Sequence, residues 1–195
     1  MRADQKPTKS GARWFSLSLS EATAPWAYCK GEPYKTIAAL ELLATTVAVL
    51  LFGPEATLPT DGTACACVTG HTDSQVSTHA VVRGLSTSFP LCVVAMELAA
   101  QLENRNAELR LVWAPRTHNQ EADDLSNGAV SGFDAAKEVK IKSLGELPFL
   151  ILPEFMEAGQ KFYDDIKKAK EERKGVIQRE PKRRRETRLR VREPW

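Results

Sequence analysis

The hydrophobic and polar positions of this chain change period several times, which predicts alternating strands and helices. Glu108–Trp113 alternates apolar and polar residues as a half-buried strand does, whereas Leu91–Asn104 has apolar residues at helical spacing. The same criteria predict strands near Trp14–Leu19 and Trp26–Lys30, helix Thr36–Leu51, strand Thr63–Thr69, helices Ser74–Leu85 and Leu91–Asn104, strand Glu108–Trp113 and helix Gln120–Leu125. We therefore expect an α/β layered domain in which two antiparallel strands lead into a helix and helices cover a mixed sheet.

The segment Thr36–Phe52 is nearly all apolar, as a membrane span is. It is shorter than the roughly 20 residues that cross a bilayer, and Glu41 places an acid in its interior. Such an acid is costly in lipid, whereas a helix that is apolar on most sides is usual inside a layered core. We predict a core helix and expect no membrane partner.

The chain divides into four predicted segments: a polar leader (1–12), the α/β domain (13–130), an appendage (131–165) and a basic tail (166–195). The glycines at 128 and 132 mark the end of the α/β domain. In the appendage, Leu147–Leu152 predicts a short apolar strand, and Glu154–Lys174 predicts a polar helix.

Charge is distributed unevenly along the chain. Residues 166–195 hold 13 Lys or Arg against 5 acids, a balance of +8, whereas residues 1–165 hold 14 against 20, a balance of −6. Basic clusters bind phosphate groups, so the candidate nucleic-acid-binding residues are Lys182, Arg183, Arg184, Arg185, Arg188 and Arg190. A solvated, disordered terminus without a partner has the same composition, and both interpretations stay open.

The four cysteines have neither the spacing of a zinc site nor that of a disulfide scaffold. Cys65 and Cys67 alternate within a predicted buried strand, while Cys29 and Cys92 are isolated. We therefore predict buried free thiols. The leader has no apolar run typical of a secretory signal, and the composition predicts a soluble intracellular protein, cytoplasmic or nuclear.

Three short motifs carry acids in a fixed order along the chain. Ile37–Ala44 reads I-A-A-L-E-L-L-A on the predicted first helix, and Thr72–Gln75 reads T-D-S-Q after a predicted strand. Trp113–Ser126 follows the pattern W-x-P-R-x-x-N-x-x-A-D-x-L-S, which predicts a strand end, a loop and a helix with Asn119 as its N-cap. Asp123 then lies within the first two turns of that helix.

Together these motifs resemble the ribonuclease H domains of retroelement reverse-transcriptase polyproteins, over about two thirds of the chain, from Trp14 to Gly128. The resemblance implies a ribonuclease H-like fold for residues 13–130 and hydrolysis of the RNA strand of RNA–DNA hybrids. It also implies that Glu41, Asp73 and Asp123 are catalytic acids that bind Mg²⁺ or Mn²⁺. Carboxylate oxygens suit these ions, and in two-metal phosphodiester hydrolysis one ion activates water while the other stabilises the leaving oxygen.

Each candidate acid also has an ordinary structural explanation. Glu41 fits a helix acid that faces solvent, Asp73 fits a helix N-cap, and Asp124 is an alternative to Asp123, although the Ala-Asp register favours Asp123. Family members often carry a His in the last loop that assists product release or proton transfer. Here we predict that His118 is a surface residue.

The front of the chain departs from the family pattern. Ribonuclease H domains begin with a buried strand that carries the first catalytic Asp, and here no apolar run precedes Asp4. Because a missing central strand leaves backbone groups unpaired, we expect either a partner segment, such as an upstream reverse-transcriptase segment, or truncation of a larger polyprotein. Two functions remain open: a hybrid-cleaving nuclease, and an inactive retroelement relic that at most binds nucleic acid. We expect little or no hydrolysis from the chain as given.

Overall fold

A computed structural model of the chain describes residues 12–55, 65–84, 86 and 88–177. Within that part the protein is mixed α/β, with five α-helices and a two-stranded parallel sheet. The elements in chain order are α1 (Ile37–Phe52), β1 (Ala66–Thr72), α2 (Gln75–Arg83), α3 (Leu91–Asn104), β2 (Ala107–Trp113), α4 (Gln120–Ser126) and α5 (Leu152–Ile177). Contacts divide the chain into two units, Met1–Gln160 and Lys161–Trp195, and the core belongs to the first.

The sheet pairs β1 with β2 in parallel, in a register that ends with Thr72 opposite Trp113. Parallel neighbours need a crossover connection, which here contains α2 and α3. Leu109 and Leu111 are buried on one face of the sheet. Gly70 leaves room for this packing, since a Cβ at Gly70 would lie 3.2 Å from Leu111 Cδ1.

Helix α1 packs against α3 and supplies much of the core, as predicted. Leu42 and Val94 are completely buried, and burial of an aliphatic side chain of this size stabilises the fold by about 1.5–3 kcal/mol. Thr46 is buried as well, and its hydroxyl donates to the Leu42 carbonyl at 2.9 Å. Among the described residues, Pro33–Phe52 alone has the length and hydropathy of a membrane-spanning helix, properties that an internal helix of a layered fold shares.

A buried carboxylate fixes the start of α5. Glu97, on α3, is 0% exposed. Its oxygens accept from Gln101 Nε2 at 2.6 Å and from the backbone N–H groups of Leu150 at 3.0 Å, Ile151 at 2.8 Å and Leu152 at 2.8 Å. The first N–H groups of a helix lack intrahelical partners and carry partial positive charge. Glu97 therefore caps α5 from a neighbouring helix.

This cap explains why the strand predicted at Leu147–Leu152 is wrong. The N–H groups that a strand would direct at a sheet partner are directed instead at Glu97, and α5 begins at Leu152. The apolar run is a loop and the first helical residue, because the buried carboxylate satisfies its backbone donors.

The two strands predicted near the front are also wrong. Trp14–Leu19 contributes only an isolated bridge between Trp14 and Glu138. Residues 25–28, which overlap the second predicted strand, form a 3-10 helix, and Pro25 at its first position favours that start because proline fixes φ near the helical value. The expected antiparallel pair and mixed sheet are therefore not found in the described part, where the only ladder is parallel.

The prediction of buried thiols is wrong for Cys65 and Cys67, which are exposed, while Cys29 and Cys92 are half-buried. The reason is that β1 buries alternate side chains and leaves the face with Cys67 open. By contrast, α3 has the bounds that its periodicity predicts, and α1, α2, α4 and β2 differ from theirs by one or two residues. The division of the chain into four segments stays a prediction.

Candidate carboxylate site at the strand ends

The two strands end side by side, and two of the candidate acids, Asp73 and Asp123, follow them along the chain. The Ala114 N–H donates to the Thr72 carbonyl at 2.8 Å, and Trp113 Nε1 donates to the Asp73 carbonyl at 3.1 Å. These bonds hold the segment after β2 against the segment after β1. Open α/β sheets place their ligands at this edge.

Asp73 is not the N-cap of α2. That role belongs to Ser74, whose Oγ accepts from the Ser77 N–H at 3.2 Å. The half-buried Asp73 side chain instead accepts at Oδ1 from Asn119 Nδ2, at 3.3 Å. Asn119 precedes α4, as predicted, but makes no side-chain capping bond. The Asn119 amide therefore orients Asp73 and does not cap the start of α4.

Asp123 lies in the first turn of α4 and forms an ion pair with Arg116. Arg116 belongs to the short 3-10 helix Arg116–His118 that follows β2. The Arg116 side chain is 70% exposed and that of Asp123 is 22% exposed. The alternative acid, Asp124, accepts from Gln120 Nε2 on its own helix at 2.9 Å, so the acid joined to the loop after β2 is Asp123.

The electrostatics of Arg116 connect all three candidate acids. The pKa of Arg116 is raised above its usual value, first by its hydrogen bond to Asp123, then by the charge of Asp123, and further by the charges of Asp73 and Glu41. Glu41 is half-buried on α1, and its carboxylate has no hydrogen bond or ion pair among the described residues. Of the three acids, Asp123 is the one that the guanidinium contacts.

The donor chemistry of the three acids fits Mg²⁺ or Mn²⁺, which prefer oxygen ligands. Within the described ranges, however, no group of three or more His, Cys, Asp or Glu side chains has the spacing of metal ligands. Asp73 is hydrogen-bonded to Asn119 and Asp123 is paired with Arg116. The cation paired with Asp123 in this conformation is the Arg116 guanidinium.

A cleft of about 450 Å³ lies beside α4 and includes Arg13, His118, Asn119 and Phe133 in its lining. His118 is exposed, as predicted, and its ring has no hydrogen bond in the part of the chain that the structure describes. It lies at the end of the 3-10 helix Arg116–His118, in the lining of this cleft.

Several predicted residues fall outside the described residues. Asp4 is one of them, and so are all the candidate nucleic-acid-binding residues, Lys182, Arg183, Arg184, Arg185, Arg188 and Arg190. Their assignment stays a prediction from sequence and charge.

Sequence reasoning missed the roles of two residues. Arg116 stands in the W-x-P-R motif, and the signal that it matters is its place between a strand end and an acidic helix. Glu97 begins a buried polar stripe on α3 that continues at Gln101 and, just past the end of the helix, at Arg105, spaced four residues apart. Buried polar side chains at helical spacing on an otherwise apolar helix are the available signal for Glu97.

Comparison of the chain with protein-family models, curated proteins and solved structures finds no match. The motifs and the geometry of the strand ends are therefore the basis for a proposed function.

Proposed function

We propose that this chain is a ribonuclease H-like domain of retroelement origin that binds RNA–DNA hybrids, with Glu41, Asp73 and Asp123 as the acids of a Mg²⁺ or Mn²⁺ site. One observation carries the proposal. Two of the three motif acids meet the loop after β2: Asp73, at the end of β1, accepts from Asn119, and Asp123, on α4, pairs with Arg116. Without a cation, clustered carboxylates raise one another's pKa and resist ionisation together.

The three acids differ in how firmly the protein positions them. Asp73 directly follows a paired strand and its carboxylate is oriented by Asn119, so it is the most firmly positioned ligand. Asp123 is placed by the first turn of α4, and Glu41 by the second turn of α1. A bound divalent ion would supply activation of water and stabilisation of the leaving oxygen. The protein's part is to hold three oxygens toward one place.

A second candidate function, binding of the hybrid without hydrolysis, is favoured by the present partners of the acids. The pairing of Asp123 with Arg116 and of Asp73 with Asn119 uses oxygens that a metal ion would need. Catalytic constellations tolerate displacements of only about 0.5 Å. We therefore assign hybrid binding with little or no hydrolysis to this chain, and the basic tail adds contacts to phosphate groups.

The test is a binding and cleavage assay with an RNA–DNA hybrid in Mg²⁺ and in Mn²⁺. Asp73→Asn removes a proposed ligand, and Glu103→Gln, at an exposed position on α3, is the matched charge control. We expect the hybrid to bind and to be cut slowly or not at all. Robust cleavage that Asp73→Asn abolishes and Glu103→Gln preserves would make the chain an active nuclease. Cleavage insensitive to Asp73→Asn would remove the site assignment, and absence of hybrid binding would overturn the proposed function.

A further inference from the structure

The hydrogen bonds between the two strands show which residues of β1 face β2. In a parallel pair, alternate residues of a strand direct both their N–H and their C=O groups at the neighbouring strand. The Ala66 N–H donates to the Asn106 carbonyl at 3.0 Å, and the Thr72 carbonyl accepts from the Ala114 N–H at 2.8 Å. The even-numbered residues of β1 are therefore the ones bonded to β2.

The odd-numbered residues of β1 direct their backbone groups at the outer edge of the sheet. They are Cys67, Thr69 and His71, all of them exposed, and their N–H and C=O groups have no hydrogen-bond partner among the described residues. Of the helices and strands, β1 packs mainly on β2 and to a smaller extent on α2. The outer edge of β1 is therefore open to a further strand.

This edge also lacks the features that keep edge strands apart. Natural edge strands avoid pairing with other chains by carrying Lys or Pro, or by forming a bulge. The strand Ala66–Thr72 contains neither Lys nor Pro, and it carries no Asp, Glu or Arg. Its register with β2 runs without a bulge from Ala66 to Thr72. Two copies of β1 can therefore approach each other without charge repulsion.

β1 is complementary to itself when two copies run antiparallel about Thr69. Thr69 would lie opposite Thr69 of the second copy, and Cys67 opposite His71. Opposed residues of this kind exchange two hydrogen bonds in an antiparallel pair, so every outward N–H and C=O group of the three residues gains a partner. Thr–Thr pairs across strands are favourable. On the other face, Val68 would lie opposite Gly70, which has no side chain to obstruct it.

We propose that this chain forms a symmetric dimer through the outer edge of β1, with the β1 strands of two copies antiparallel about Thr69. The two sheets then join into one with the strand order β2-β1-β1-β2. Because both copies use the same edge, the assembly closes at a dimer. Leu109 and Leu111, whose backbone groups face the opposite edge, are buried. This inference goes beyond the proposed function and does not depend on it.

The first test is the mass of the full chain in sedimentation velocity at several protein concentrations. A reducing agent is present because Cys65 and Cys67 are exposed thiols. Thr69→Pro removes the outward N–H, a change that an edge strand tolerates within its own fold. Thr69→Lys and Thr69→Glu each place like charges opposite each other in the dimer. Thr117→Lys, at an exposed position outside the sheet, is the charge control.

We expect the unaltered chain and Thr117→Lys to dimerise alike. Thr69→Pro should weaken the dimer by about tenfold or more, because each copy loses a central hydrogen-bond donor. Thr69→Lys and Thr69→Glu should each weaken it, since like charges directly opposite are destabilising. An equimolar mixture of these two variants should dimerise again, because opposite charges then face each other. Circular dichroism would verify that each variant is folded.

Hydrogen exchange of the unaltered chain, measured by NMR, is a second test that needs no variant. The amides of Cys67, Thr69 and His71 should exchange rapidly in dilute protein and slowly in concentrated protein. The amides of Val68 and Gly70, which face β2, should be protected at both concentrations. Protection of the odd-numbered amides that does not depend on concentration would mean that another segment of the same chain covers the edge, and would overturn the proposal.

Three other results would overturn the proposal as well. The first is a chain that stays monomeric at all concentrations and leaves the odd-numbered amides of β1 unprotected. The second is a dimer that folded Thr69→Pro and Thr69→Lys variants form as readily as the unaltered chain, which would place the interface elsewhere. The third is failure of the Thr69→Lys and Thr69→Glu mixture to dimerise better than either variant alone.

Discussion

Two regions of this protein hold carboxylates in opposite ways. Glu97 is completely buried, and its partners are backbone N–H groups and the Gln101 amide. Asp123 is partly exposed, and the long side chain of its partner Arg116 is mostly exposed to solvent. Both carboxylates lie near the start of a helix, yet only Glu97 has partners that cannot leave without unfolding a helix end.

The partners of a carboxylate indicate whether its role is structural or whether it is free to bind a ligand. A carboxylate bonded by fixed backbone donors is tied to the fold, because moving it would leave those donors unsatisfied in the interior. A carboxylate paired with an exposed side chain can change partners at small cost. We therefore assign Glu97 to the anchoring of α5, and the strand ends remain the place where we propose ligand binding.

The largest effect expected is on stability, from Glu97→Ala. Three backbone donors and the Gln101 amide would each lose a partner, at about 1 kcal/mol or more apiece. The free energy of unfolding, measured by urea denaturation, should fall by about 3 kcal/mol or more. Glu103→Ala, on the exposed side of the same helix, should change it by less than about 0.5 kcal/mol. Equal effects of the two substitutions would refute the anchoring role.

The next effect concerns the difference in charge between residues 1–165, which are acidic, and the basic tail, residues 166–195. Residues 166–195 carry a balance of +8 and the rest of the chain −6, so the tail should dominate nucleic-acid affinity. Deletion of residues 175–195 should weaken hybrid binding by about tenfold or more at low salt. The slope of log affinity against log salt should also fall, by roughly 0.7 to 0.9 for each phosphate group that the tail neutralises. An unchanged slope after deletion would contradict the assignment of the tail.

A smaller loss of stability is expected where α5 packs on the core. A Cβ at Gly159 would overlap the Phe89 ring, so Gly159→Ala should lower the free energy of unfolding by about 1–2 kcal/mol despite the better helix propensity of alanine. Gly145→Ala is the control, because its Cβ would meet only Ser143 Oγ, at 3.8 Å. Adding Phe89→Leu should recover part of the loss. A stabilised Gly159→Ala variant would show that α5 does not pack this tightly.

The smallest effect distinguishes two roles for Asn119. If its side chain capped α4, Asn119→Asp would be neutral, because Asp caps helices as well as Asn does. The structure instead directs this amide at Asp73, and a carboxylate there would repel Asp73. We expect Asn119→Asp to cost about 0.5–1 kcal/mol in urea denaturation, and Asn119→Ala to cost no more than that. A neutral Asn119→Asp would restore the capping role.

The sequence predicts elements whose signal is local. The period of apolar residues fixes α3, and the alternation at 108–113 fixes most of β2, because both patterns arise from the geometry of a single element. The errors occur where a distant partner decides. The run at 147–152 has the composition of a strand, but Glu97, more than 50 positions away, takes its N–H groups. No local pattern encodes that partner.

The candidate site was predictable to a similar degree. The motifs single out Glu41, Asp73 and Asp123, and the structure adds that Asp123 pairs with Arg116 and Asp73 with Asn119. The pairing with Arg116 depends on how the loop after β2 turns, which the sequence does not specify. The exposure of Cys67 could not be predicted for a similar reason. Whether a second layer covers a sheet face is a property of the whole fold, which a local pattern does not specify.

Mn²⁺-induced broadening of amide signals in a nitrogen-15 NMR spectrum tests most directly whether Glu41, Asp73 and Asp123 form a divalent-cation site, as we propose. We expect the amides near Asp73, Asp123 and Glu41 to broaden first, at Mn²⁺ concentrations that leave the amides of residues 150–152 unaffected, and Asp73→Asn to reduce this selectivity. Broadening that begins elsewhere in the chain, or that is the same with Asp73→Asn, would contradict the claim.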